Sequence, residues 1–207
     1  MNIILVGPQG SGKGTQAVLL AKRFGLCTIS IGELLRKEAE KNTKRGLLIK
    51  NILKKGDLVP MEISVAVLKT YLEKNPCDAG IIFDGFPRTL EQAEALDEIA
   101  DINYVIELKL SDEDAVQRLS SRKQCKNGHV YGKYIPPKKD GICDIDGEKL
   151  FLRDDDTPKA IMERLMIYHD ETEPLLEYYA PRNIIHSING SGSQEQVFEA
   201  ICKIFSE

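Results

Sequence analysis

Short apolar runs that end in glycine or aspartate alternate along the chain with longer segments of helical period. The runs at 2–6, 27–29, 80–84, 103–108 and 183–186 read as strands. The amphipathic segments at 13–24, 31–41, 45–54, 62–74, 90–99, 112–122, 158–179 and 193–205 read as helices. Strand followed by helix, repeated, predicts an α/β fold. Its five strands would form a parallel sheet flanked by helices on both faces.

Two stretches break that rhythm. Residues 30–60 hold two helices with no strand after them and read as a helical insertion. Residues 123–157 are rich in Gly, Pro, Lys and Asp, with the run Ile135-Pro136-Pro137-Lys138-Lys139-Asp140-Gly141. That composition cannot make a core helix, and the stretch is long for a plain loop. The expected plan is a core with two insertions.

Composition narrows the function classes. At 207 residues and 42% hydrophobic the chain can bury a real core, and a formal net charge of -4 argues against a globally basic nucleic-acid binder. No stretch approaches the length of a membrane span. The start, Met1-Asn2-Ile3-Ile4-Leu5-Val6, lacks a basic leader and reads as the first strand of a cytoplasmic protein. Five cysteines, an odd number and mostly scattered, do not suggest a disulfide framework; Cys27, Cys77 and Cys202 read as buried small hydrophobes. No interface signature is visible, so a monomer is expected.

The strongest chemical signal is Gly7-Pro8-Gln9-Gly10-Ser11-Gly12-Lys13-Gly14-Thr15, which follows an apolar strand and opens a helix. Such glycines let successive backbone N–H groups turn onto phosphate oxygens, and the helix N-terminus adds a favourable dipole. Lys13 supplies a mobile cation for the outer phosphates, and the Thr15 hydroxyl can reach a metal or an α-phosphate. The run Ile81-Ile82-Phe83-Asp84 ends a strand in an acid that can hold a hydrated Mg²⁺. There are nine arginines, at 23, 36, 45, 88, 118, 122, 153, 164 and 182. A planar guanidinium fork binds phosphate bidentately where lysine acts as a point charge. Arg118 and Arg122, four apart, share one helix face.

The Gly12-Lys13-Gly14-Thr15 variant of the phosphate loop resembles that of the adenylate kinases, within the nucleoside monophosphate kinases. Gly85-Phe86-Pro87-Arg88 with Gln92 is similar to that family's acceptor signature, and Gly56-Asp57-Leu58-Val59-Pro60 to its second acceptor segment. Leu152-Arg153-Asp154-Asp155-Asp156 and Arg164-Leu165 through Tyr168 resemble the end of its long lid and the following helix. Together these cover almost the whole chain in family order. The resemblance implies a P-loop core at 1–29, 60–121 and 158–207, an acceptor-binding insertion at 30–59 and a lid at 122–157. It implies an ATP site of Gly10, Ser11, Gly12, Lys13, Gly14, Thr15, Arg118, Arg122, Val130, Tyr131 and Gly192, the last in a base-contacting loop at 189–192. The AMP site would comprise Ile31, Arg36, Asp57, Leu58, Val59, Gly85, Phe86, Pro87, Arg88, Gln92, Arg153 and Arg164. Lys13, Asp84, Arg88, Arg122, Arg153 and Arg164 would carry catalysis. One departure stands out: Ser30-Ile31-Gly32 has isoleucine where the family usually has threonine, so an acceptor hydrogen bond is lost.

Many long-lid relatives bind zinc through two Cys-x2-Cys or Cys-x2-Asp pairs. Here the second half is intact as Cys143-Asp144-Ile145-Asp146, whereas the first reads Cys125-Lys126-Asn127-Gly128-His129. With His129 as substitute ligand, Cys125, His129, Cys143 and Asp146 would surround a structural Zn²⁺. The alternative is a lid held by hydrogen bonds among the same side chains. The reading is adenylate kinase activity on Mg-ATP and AMP, giving ADP. Its alternatives are a kinase of another acceptor or donor, such as UMP/CMP or GTP:AMP, and a nucleotide-binding regulator without turnover.

Overall fold

A computed structural model describes residues 1–132, 135–153 and 156–205. Five strands, β1 (Ile3–Val6), β2 (Cys27–Ser30), β3 (Ile81–Asp84), β4 (Tyr104–Lys109) and β7 (Ile185–Asn189), form one all-parallel sheet in the order β2-β3-β1-β4-β7. The glycine-rich loop therefore leaves the central strand. β1 is buried along its whole length, and its side chains alternate between two cores. Ile4 and Val6 join Ile29, Phe83 and Val105 in the larger cluster; Ile3 and Leu5 join Ile82, Ile106 and Leu108 in the smaller.

Helix α1 (Lys13–Phe24) packs Ala17 and Leu20 on the smaller cluster, beside Val197 and Ile201 of α9 (Gln194–Ile204). Helices α2 (Ile31–Ala39), α3 (Lys44–Lys55), α4 (Met61–Lys74) and α5 (Leu90–Asp97) contribute to the larger one. Helix α6 (Asp112–Ser120) packs on α7 (Pro158–Ile167) through Ala115, Leu119, Ile161 and Leu165. The expected parallel α/β architecture is present. Among the described residues no helix is long and apolar enough to cross a membrane.

Three expectations need correction. The periodicity at 158–179 is not one helix. After α7 the chain makes a π-helical turn over Tyr168–Thr172 and then α8 (Leu175–Tyr179). Pro174 explains the change: it has no N–H, and its ring crowds the carbonyl one turn back. Glu173 N accordingly donates to Tyr168 O, five residues earlier, at 2.8 Å. The last strand begins later than residue 183, because Asn183 closes a 3₁₀ turn (Ala180–Arg182) in the left-handed region, φ 54°. Finally, Cys27 and Cys77 are not free hydrophobes but a disulfide, Cα–Cα 5.8 Å. Cys202 is half-buried and lies outside that disulfide.

In the 122–157 region the chain forms a small antiparallel pair, β5 (Lys123–Gln124) with β6 (Val130–Tyr131). Cys125, Tyr131, Cys143 and Leu150 make its miniature core. Lys133, Tyr134, Asp154 and Asp155 lie outside the described residues.

Candidate active site

The glycine-rich loop turns where only glycine is comfortable. Gly12, the N-cap of α1, sits at φ 95°, and a Cβ on Gly7 would lie 2.5 Å from Leu108 O. Lys13 Nζ folds back over this loop and donates to Gly7 O at 2.6 Å and Pro8 O at 2.9 Å. Burial pushes its pKa down to about 8, opposed by Asp84 and reinforced by Arg88, Arg164 and Arg122. One ammonium thus feels an acid from the end of β3 and arginines from three separate segments. Asp84 lies against the loop itself, since a Cβ on Gly14 would be 3.1 Å from its Oδ2. Ser11 Oγ and Gln9 Oε1 are buried in the loop with no hydrogen-bond partner. The half-buried Thr15 is the third residue of α1.

The arginines are held by specific partners. Arg118 Nη1 reaches across from α6 to Gly10 O at 3.2 Å. Arg122 grips Asp156 with both arms, Nε to Oδ2 at 2.7 Å and Nη2 to Oδ1, while Arg164 Nη1 donates to the same carboxylate at 3.1 Å. The Asp156 side chain is 1% exposed. Arg153 Nε donates to Gln124 Oε1, and Arg88 Nε donates to Gly85 O at 2.8 Å. Arg36 lies over Gly32, its guanidinium nitrogens 3.5 Å from where a Cβ would be.

Among the residues expected at the acceptor, Gln92 is 4% exposed and its Oε1 accepts from Arg88 N at 2.8 Å. Thr89, capping α5, accepts from Gln92 N, and Thr172 Oγ1 of the π-helical turn donates to Arg88 O at 2.9 Å. Gly56, which ends α3, approaches α7 so closely that a Cβ would lie 3.2 Å from Ala160 O and 3.4 Å from Arg164 Cγ. That contact places Asp57 and Leu58, both half-buried, next to the arginine helix. Ile31, Val59 and Phe86 pack in the larger core, and Pro87 follows a cis peptide bond. Of the residues expected at the donor, Val130 and Gly192 are exposed, and the Tyr131 side chain belongs to the small core of the 122–157 region.

Cys125, His129, Cys143 and Asp146 converge, with all four ligand atoms within 4.8 Å of one another. Cys125 Sγ lies 3.3 Å from both His129 Nδ1 and Asp146 Oδ2; His129 Nδ1 lies 2.9 Å from Asp146 Oδ2 and 3.4 Å from Cys143 Sγ. A tetrahedral zinc with bonds of about 2.0–2.3 Å sets its ligands about 3.3–3.8 Å apart. The residue types fit, and so do the three contacts to sulfur, whereas His129 and Asp146 stand at hydrogen-bond distance and would open by a few tenths of an ångström around an ion. Burial pushes the Cys125 thiol up, whereas hydrogen bonds from Cys143, from Glu148 N and from Asn127 hold Asp146 well below the usual carboxylate range.

Sequence reasoning passed over two residues here. Asp156 was visible only as the end of an acidic run, and Thr172 carried no signal at all. Nothing in a sequence says which arginine an aspartate 34 positions away will hold.

The sequence model of the family described as Adenylate kinase matches residues 5–184. An Adenylate kinase of Methanosarcina barkeri is 42% identical over 207 residues, covering 97% of this chain and 96% of that protein. One from Methanothrix thermoacetophila is 42% identical over 213 residues, covering 100% and 99%. One from Streptomyces avermitilis is 40% identical over 205 residues, covering 95% and 93%.

Proposed function

The chain belongs to the adenylate kinase family, and from that premise we propose that it transfers a phosphoryl group reversibly from Mg-ATP to AMP, giving two ADP. The observation that carries this reading is the charge gathered about the glycine-rich loop: Lys13 folded over Gly7 and Pro8, Asp84 against Gly14, Arg118 on Gly10 O, and Arg122 and Arg164 sharing Asp156. Phosphoryl transfer needs no protein nucleophile or strong base. It needs in-line positioning and neutralisation of charge on the transferring oxygens.

Under this reading the loop N–H groups of residues 10–15 and Lys13 cradle the donor phosphates, with Arg118 and Arg122 on the donor side. Arg36 and Arg88 fix the acceptor phosphate, and Arg153 and Arg164 span the two. The Mg²⁺ that accompanies ATP supplies charge neutralisation between the donor phosphates, and Asp84 would hold it through its water shell. Gln92 reads the acceptor base. Residues 30–59 close over the acceptor and residues 122–157 over the donor, excluding water that would otherwise attack the γ-phosphate. Structural Zn²⁺ held by Cys125, His129, Cys143 and Asp146 would hold together a lid that has little core of its own.

The test is ADP formation from Mg-ATP with AMP, GMP, CMP and UMP in turn. AMP should be the preferred acceptor; preference for a pyrimidine nucleotide would overturn the assignment of substrate, and no turnover would favour a nucleotide-binding regulator.

A further inference from the structure

Gln16, the fourth residue of α1, is 3% exposed, and its side-chain amide is half satisfied. Nε2 donates to the backbone carbonyl of Gln194 at 3.0 Å, a contact across 178 residues of chain. Oε1 is buried with no partner. Gln194 opens α9 and is separated by the capping Ser193 alone from the segment 189–192 that the proposed reading places against the donor base. The same segment meets the phosphate loop on its other side. Gly190 N donates to Lys109 O at 2.8 Å, and a Cβ on Gly190 would lie 2.9 Å from Lys109 O and 3.3 Å from Ser11 O.

A buried acceptor left without a partner is unfavourable, and an apolar side chain of the same length would avoid it. Stability therefore does not account for glutamine at this position. What the amide does do is bind the helix that presents the phosphate loop to the first residue of α9, and through it to the segment that leads into that helix. We propose that Gln16 is a positioning residue for the donor nucleotide, setting the spacing between the phosphate cradle at 10–15 and the base segment at 189–192. This rests on the assignment of the site to Mg-ATP and goes beyond it. ATP must engage both elements at once, so a shift between them weakens ATP binding. AMP, held near Arg88 and Gln92, does not sense that spacing.

The test compares the intact enzyme with Gln16→Met and Gly190→Ala. The first removes the hydrogen bond and the orphaned oxygen together; the second forces the loop away from the opposite side. In both, the KM for ATP should rise about three- to tenfold, the range a single hydrogen bond supplies. The KM for AMP should stay as in the parent protein, and the urea midpoint of Gln16→Met should be no lower. Gln16→Leu, which likewise removes both polar atoms, replaces Gln16→Met if that variant does not fold, and Gly190→Ala serves as a comparison for a shift imposed on the segment itself. An unchanged KM for ATP, or KM values for ATP and AMP rising in step, would overturn the proposal. Failure of the parent protein itself to make ADP would instead defeat the functional reading beneath it.

Discussion

Asp156 holds Arg122 by both arms of its guanidinium while its own carboxylate is almost completely removed from solvent. Arg164 shares that carboxylate. An acid thus keeps two cations, one at the end of α6 and one on α7, aimed together and mutually screened. Asp156→Ala would leave two largely buried guanidinium groups facing each other, at a cost of about 3–5 kcal/mol. Urea unfolding should show that loss. Turnover should fall by about 100-fold, because even a displacement of about 1 Å has that effect on in-line transfer.

Lys13 gives a proton-linked signature. Its pKa lies at about 8 in the free protein, and phosphate oxygens favour the charged ammonium, so nucleotide binding raises it. At pH 9 the free side chain is mostly neutral and the bound one charged. ATP binding should then take up as much as about one proton, and affinity should fall as pH rises through 8. Calorimetry in two buffers of different ionisation enthalpy measures the uptake; Lys13→Met should abolish it.

The proposed metal site at Cys125, His129, Cys143 and Asp146 predicts about one zinc per chain in the untagged protein, lost in Cys125→Ser. Chelator should lower the melting temperature of the lid more than that of the sheet core. Metal-free protein with an unchanged lid would mean that His129, Asp146 and the two thiols act as hydrogen-bonded staples.

Gln92→Leu should raise the KM for AMP about tenfold, the value of one or two neutral hydrogen bonds. It should also erode the preference for AMP over GMP, leaving the KM for ATP unchanged. Steady-state rates with each nucleotide varied in turn decide this. Equal effects on ATP and AMP would place Gln92 in the scaffold, through its bond to Arg88 N.

Where local chemistry decides structure, the sequence was readable. Helix α1 spans 13–24 as expected because glycines in the left-handed region bracket it, Gly12 at φ 95° and Gly25 at φ 69°. Ser111 and Thr157 cap α6 and α7 as their positions suggest. The resemblance to long-lid relatives singled out Cys125, His129, Cys143 and Asp146, and their side chains do meet. What could not be read depends on which elements lie side by side. Cys27 and Cys77 are 50 residues apart, and only the pairing of β2 with β3, which sets Cys27 opposite Ile81, brings them together. The partner of Arg122 and the grip of Thr172 on Arg88 O likewise depend on tertiary packing. Pro174 was legible, but its effect as a π-helical turn was not, because a helical period continues on either side.

The Cys27–Cys77 bond makes a closed ring of the stretch that contains α2, α3 and α4. The chain there is no longer topologically linear. A protease that cuts the exposed turn at 41–43 severs a peptide bond without releasing a fragment. The two pieces stay joined through Cys27 of β2 and Cys77, and the nicked protein runs as one species until a reductant opens the ring.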